Sequence, residues 1–195
     1  MSDAPEVPLF PLSTVLFPDG PLPLRIFESR YLDMISRCLR ESLPFGVVLI
    51  ASGQEAGTAS FVDLGTSADI VDWYQGSDGL LGVTARGRRR FRITRRRVAD
   101  DGLNFGVVTY LPDAEPVALP ADCVYLADIL KGVLDDFGRL YPADERRYDD
   151  ADWVACRLAE ILPIAPEEKQ RCLEADDALA RLEIVRGLVR VVRAD

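Results

Sequence analysis

The sequence contains no histidine, only two methionines, and four cysteines in 195 residues. Without imidazole there is no side chain that titrates near neutral pH unaided, and no nitrogen ligand for zinc. Cys38, Cys123, Cys156 and Cys172 are far apart and form no CxxC pair. They read as buried free thiols of a reducing cytosol. No metal or other cofactor is expected. Lys131 and Lys169 are the only lysines, and no GxxxxGK[ST] sequence occurs to cradle phosphates. A serine–lysine dyad is excluded by position, because both lysines fall in the helical tail and no serine follows Ser77. No run approaches the roughly eighteen apolar residues of a membrane span. The start, MSDAPEVPLF, lacks the basic and apolar regions of a signal peptide. A cytoplasmic location and no membrane partner are expected.

What the chain has in excess is acid, with 32 Asp and Glu against 23 Lys and Arg, a net charge of −9. The exception is the stretch Arg86 to Arg97, in which eight of twelve residues are arginine. Removing those eight positive charges from the net −9 leaves −17 on the rest. The molecule as a whole therefore repels polyanions. On a strand, Val83, Ala85, Phe91 and Ile93 would share one face, and Arg86, Arg88, Arg90 and Arg92 the other. That pattern makes an amphipathic strand whose arginines pair with acids nearby, Glu28, Asp63, Asp69 and Asp72 being within sequence reach. The competing reading is an anion or nucleic-acid site.

Short apolar runs separated by turn signals fill the first 112 residues. Strands are expected at Val7–Leu12, Leu22–Phe27, Phe45–Ile50, Phe61–Leu64, Ala68–Tyr74, Leu80–Ala85, Arg88–Arg95 and Phe105–Leu111. The prolines in the first of these predict an edge strand. GSDG at 76–79 and ADDG at 99–102 are hairpin turns. One helix interrupts, with Leu32, Ile35 and Leu39 on a stripe and Tyr31 and Cys38 beside it, stopped by Pro44. From about Leu119 the period becomes helical. Ala127, Leu130, Leu134, Phe137 and Tyr141 mark one helix, Asp149 or Asp150 caps a second, and Pro166 with Glu167 and Glu168 opens a third. Leu179, Leu182, Val185, Val189 and Val192 form the last stripe. The order predicts an α+β fold: a β half over 1–118 and a helical bundle over 119–195 packed on it.

The motifs VPLFPLSTVLFPDGPLPLRIFESRY, FGVVLI, LGTSADI and DGLLGVTARGRRRFRI, followed by ILPIAPEEKQRCLEADDALARLEIVRGLV, line up in order. Together they resemble the amino-terminal domain of the Lon ATP-dependent protease, from about Val7 to Val192. The resemblance implies a bent, PUA-like β-barrel with a helical bundle. Matching residues are Pro11, Leu12, Phe17, Pro18, Pro23 and Leu24, then Phe27, Glu28, Arg30 and Tyr31. Gly65 and Thr66 match, as do Gly87, Arg90, Phe91, Arg92 and Ile93. Glu28 would stand near the helix start, within reach of Arg30 or Arg90. No inherited role attaches to Arg95, Arg96 or Arg97.

In the protease this domain helps to engage unfolded or tagged substrates and supports assembly; ATPase and peptidase modules follow it. With neither module legible before Asp195, the expected function is non-catalytic recognition of unfolded segments, degrons or a partner protein. Phe17, Tyr31, Trp73 and Tyr74 are the candidate exposed aromatics for such binding, with core burial as the alternative for each. Arg30, Arg88 and Arg90 are the candidate polar contacts. RNA binding through the arginine strand is the second reading. An enzyme acting on a small molecule has no histidine, metal cluster or phosphate loop to build on. A monomer or weak homodimer is expected.

Overall fold

The computed structural model describes residues 4–53, 55, 60–113, 115–137 and 140–192, the side chain of Phe137 excepted. The chain divides into two compact units, Met1–Pro112 and Asp113–Asp195.

The first unit holds six strands and one helix. They are β1 (Glu6–Leu12), β2 (Pro21–Ile26), α1 (Ser29–Glu41), β3 (Phe45–Ser52), β4 (Ser60–Gln75), β5 (Leu81–Val98) and β6 (Asn104–Tyr110). The sheet order is β2-β5-β4-β3-β1-β6, and a further pairing of β5 with β6 closes five of the strands into a ring. The two expected hairpins turn at Gly79 and Gly102, each with φ of 81°. Four expected strands are in fact two: residues 61–74 lie on one continuous β4, and 81–95 on one continuous β5. Gly65 and Gly87 do not interrupt the ladder but allow close approach. A Cβ on Gly87 would fall 2.0 Å from the carbonyl oxygen of Phe17. That contact belongs to a strap. Asp19 donates to the Gly87 carbonyl at 2.9 Å, Gly87 donates to that of Gly20 at 2.9 Å, and the buried Thr66 hydroxyl donates to that of Leu16 at 2.6 Å.

The expectation of an edge position for β1 is overturned. It lies between β3, which it pairs in parallel over Leu9–Leu12, and β6, which it pairs antiparallel over Glu6–Leu9. Pro8 lies where only β6 is in register, and Pro11 where only β3 is, so each ring nitrogen can face a side without a ladder bond.

The face pattern of β5 also differs from the simple alternation. A register shift lies where Thr66 opposes Arg90 and Ala68 opposes Gly87, so Arg88 and Arg89 together face Ser67. This bulge reverses the side-chain parity. Val83 and Ala85 join a core with Phe10, Phe45, Val47 and the α1 residues Tyr31, Met34, Ile35 and Cys38. Phe91 and Ile93 join a separate core with Val7, Leu9, Val48, Phe61 and Val108, drawn from all five ring strands. The buried stripe of α1 is Tyr31, Met34, Ile35 and Cys38, one step round from the expected Leu32–Ile35–Leu39 line, and it leaves Leu39 exposed.

The second unit carries α2 (Val124–Leu134), α3 (Ala151–Ile161), α4 (Pro166–Glu174) and α5 (Ala178–Val192). Asp150 caps α3 by accepting from the backbone of Asp152 and Trp153. Pro166 occupies the first turn of α4 with Glu167 and Glu168, as expected. α2 ends at Leu134 and a 3₁₀ turn follows over Asp135–Phe137, so Tyr141 lies beyond the helix and the side chain of Phe137 outside the described residues. The last helix buries Leu182, Val185 and Val189, while Leu179 is exposed.

Candidate functional site

Among the described residues of the first unit, five of the seven exposed large apolar side chains lie at the end of α1 and on β4; Phe27 and Val98 stand elsewhere. α1 ends at Ser42, whose φ of 53° is left-handed, and the helix-capping N–H bonds back to Cys38. The turn carries Leu43 out of the core, and Leu39 stands beside it on the exposed side of α1. Facing them is β4. A second register shift, between Ile70 and Asp72, leaves Val71 without a partner on β5. Cys38, Leu39, Ser42, Leu43, Asp69, Ile70, Val71 and Arg88 line an open groove of about 290 Å³. Its apolar walls are Leu39, Leu43, Ile70 and Val71, and Val71 is 52% exposed. Arg88 and Asp69 form an ion pair of 2.8 Å at one side. Past Val71 the same strand displays Trp73, 60% exposed, and Tyr74. The Tyr74 ring lies across Gly82 on β5, where a Cβ would come within 2.3 Å of it.

Of the seven residues singled out from the sequence, Arg88 lines the groove, and Trp73 and Tyr74 lie exposed farther out on β4. The other four lie elsewhere. Phe17 is wholly buried on the strap beneath Gly87, and Tyr31 is buried by stacking on Phe10 with ring centroids 4.0 Å apart. Both take the core alternative. Arg30 reaches Glu28 at 2.8 Å, donates to the carbonyl of Gly102 at 2.9 Å and lies over the Tyr31 ring. It therefore ties the start of α1 to the β5–β6 turn. Arg90 is only 9% exposed. The sequence reading missed Leu39, Leu43 and Val71 as surface residues. Pro44 was a signal that the chain turns after α1, but the bulge at Val71 left none.

The arginine strand is largely occupied within the molecule. Arg96 donates to Asp63 and to the carbonyl of Phe61, each at 2.6 Å, and its guanidinium lies 4.2 Å from the Phe61 ring centroid. Arg97 grips Glu6 through two bonds of 3.0 and 2.7 Å and covers Phe105. The bond from Arg97 holds the Glu6 carboxyl below its ordinary range.

Groups able to do chemistry are few and engaged. Burial pushes the Cys38 and Cys172 thiols up to about 11, which suppresses the nucleophilic thiolate. Lys131 binds Asp128 at 3.1 Å, and Lys169 donates to the carbonyl of Glu160 at 2.6 Å. Burial moves the Lys169 ammonium below its ordinary range. Glu160 accepts from the Tyr141 hydroxyl at 3.0 Å and pairs with the buried Arg157 at 2.8 Å. Burial still raises its carboxyl to about 7. Among the described residues no group of three His, Cys, Asp or Glu side chains is arranged to hold a metal ion.

The six-stranded mixed sheet followed by a helical unit is the fold of a Lon amino-terminal domain. It superimposes on the crystal structure of a Lon N-terminal domain protein from Xanthomonas campestris with a TM-score of 0.77 and 37% identity, covering 94% of this chain and 98% of that one. The chain belongs to the family described as the ATP-dependent protease La (LON) substrate-binding domain, which matches residues 6–191. A Lon protease of Phenylobacterium zucineum is 30% identical over 94% of the chain, and Lon protease 2 of Myxococcus xanthus 27% over 96%. The chain spans about a quarter of the length of these relatives, 24% in each case. No described helix is long and apolar enough to cross a membrane.

Proposed function

We propose that this chain recognises exposed apolar segments of other polypeptides, unfolded or tagged, and carries out no covalent chemistry on them. The observation that carries this reading is the open groove between the end of α1 and β4, with Leu39, Leu43 and Val71 left exposed beside Trp73 and Tyr74. Apolar side chains brought together at a concave surface are a common anchor for a partner's side chains. The family's own description as a substrate-binding domain supports the same reading. Four buried free cysteines fit a reducing, cytoplasmic setting.

The test is a fluorescence titration with a permanently unfolded protein, reduced and carboxymethylated. Trp73 is exposed and Trp153 buried, so a ligand that covers the groove region shifts the Trp73 emission to the blue. Leu43→Asp with Val71→Asp should weaken binding at least about tenfold while the thermal midpoint stays near wild type. Absence of binding by the wild type, or equal binding by the variant, would overturn the reading.

A further inference from the structure

The geometry points to the mode of binding: an extended polypeptide segment adds as a strand to the free edge of β4 at Asp69–Gln75 and places a lysine or arginine at Asp72. This deepens the proposed function and rests on it.

β3 accompanies β4 only as far as Ala68, which opposes Phe45 at the first residue of β3. From Asp69 to Gln75, β4 is paired with β5 alone, so among the described residues its other side carries no strand. A free edge of this kind presents N–H and C=O groups that only another extended chain satisfies in series, the Trp73 N–H excepted here, which the Asp72 carboxylate already holds at 2.8 Å. Natural edges are commonly blunted by proline or lysine. β2 follows that rule, since it is paired with β5 alone and carries Pro21 and Pro23. The β4 edge carries neither residue: its sequence DIVDWYQ is rich in strand formers, three of which are exposed, and what blunts it is the bulge at Val71 and the acids Asp69 and Asp72, which turn away segments that bring no cation.

The groove adjoins the inner end of this edge, where Leu39 and Leu43 of the α1 end line it together with Asp69, Ile70 and Val71. A chain laid there would meet backbone on one side and apolar side chains on the other, so its alternate residues should be apolar. Charge fixes one further position. At the inner end Asp69 is already paired with Arg88. Further out, Asp72 is exposed and has no ion pair among the described residues; its carboxylate accepts only the N–H of Trp73, at 2.8 Å. The aromatic faces of Trp73 and Tyr74 adjoin it in sequence, and an anion beside aromatic rings favours a cation. The net charge of −9 draws the same class of segment.

The test uses the full chain and a fluorescein-labelled peptide of seven residues, alternating valine with polar residues and carrying one central lysine. Two analogues are N-methylated at alternate positions, one on each parity, and a third has norleucine for lysine. Strand addition uses the N–H groups of one parity only. One methylated analogue should therefore bind about tenfold more weakly and the other nearly as well as the parent. Asp72→Asn should weaken the lysine peptide severalfold and leave the norleucine peptide unchanged. If the parent binds and neither parity of methylation matters, strand addition is wrong while the recognition reading stands. Equal loss for the lysine and norleucine peptides would remove Asp72 from the proposal. If no peptide and no unfolded protein binds, both readings fail.

Discussion

The Phe91 ring lies directly over Gly46: a Cβ at that glycine would fall 2.7 Å from the ring's Cζ. Gly65 bears on the same ring, where a Cβ would come within 3.0 Å. The barrel core thus forms around one large side chain seated on strands that bare their backbone to it. Phe91→Ala should cost about 3–5 kcal/mol, because the rigid ring of strands cannot collapse onto the void. Gly65→Ala should also destabilise, since its methyl would meet the carbonyl oxygen of Val47 at 2.3 Å, and backbone yields less readily than a side chain. Denaturant unfolding of both variants checks this. Wild-type stability for Phe91→Ala would mean that the ring is not part of the core.

The arginine strand should behave as structure rather than as a nucleic-acid clamp. Arg88 and Asp69 are each close to half exposed, 49% and 44% by side chain, and such pairs are worth about 0–1 kcal/mol. Arg88→Ala should therefore leave stability within about 1 kcal/mol of wild type. Arg90→Ala should cost more, because the stem of Arg90 is nearly buried. Filter binding with a mixed-sequence RNA at low and moderate salt should show no salt-sensitive complex. Tight binding that falls steeply with salt and disappears on Arg88→Ala would restore the clamp.

The parts of this fold legible in the sequence are those fixed by neighbours along the chain. The two Asp-Gly turns, the cap at Asp150, proline at the start of α4 and the inward side chains of Phe91 and Ile93 all follow from local chemistry. What was hidden depends on pairing between distant segments. The interior place of β1 needs both β3 and β6 in register, and the parity change at Arg88 and Arg89 needs the register of β4. The groove is hidden for the same reason. Trp73 and Tyr74 could be picked as aromatics, but Val71 becomes a groove wall only because β3 stops short of it and β4 bulges there. Buried arginines are equally silent, since composition marks arginine as a surface residue.

Arg181 is such a case. It is 1% exposed, pairs with Asp152, and donates to the carbonyls of Cys172 at 2.8 Å and Ala175 at 3.3 Å. It thereby satisfies oxygens at the end of α4 that the helix itself leaves open. Asp152→Ala should cost about 3–5 kcal/mol, because a buried guanidinium loses its counter-charge. Adding Arg181→Met should recover only part of that, since the two carbonyls then lose their donor. Thermal unfolding of the single and double variants measures both. A double variant worse than Asp152→Ala alone would show that the carbonyl contacts outweigh the unpaired charge.

Glu160 makes the second unit sensitive to pH in a defined direction. Its carboxyl is raised by burial from an ordinary 4.5 to about 7, against the opposing pull of Arg157, Tyr141 and Lys169. The folded state therefore holds the proton more tightly than the unfolded chain does. The stability this confers is fully present below about pH 4.5 and is lost as pH rises through about 7. A separation of that size corresponds to roughly 3 kcal/mol. Glu160→Gln keeps an acceptor for the Tyr141 hydroxyl but cannot titrate. The stability of the wild type relative to this variant should fall between pH 5 and 8 by up to that amount, measured by urea unfolding at fixed ionic strength. The outcome against it is a relative stability that stays flat or rises over the same interval, which would mean that Arg157 and Lys169 hold Glu160 ionised in the folded protein.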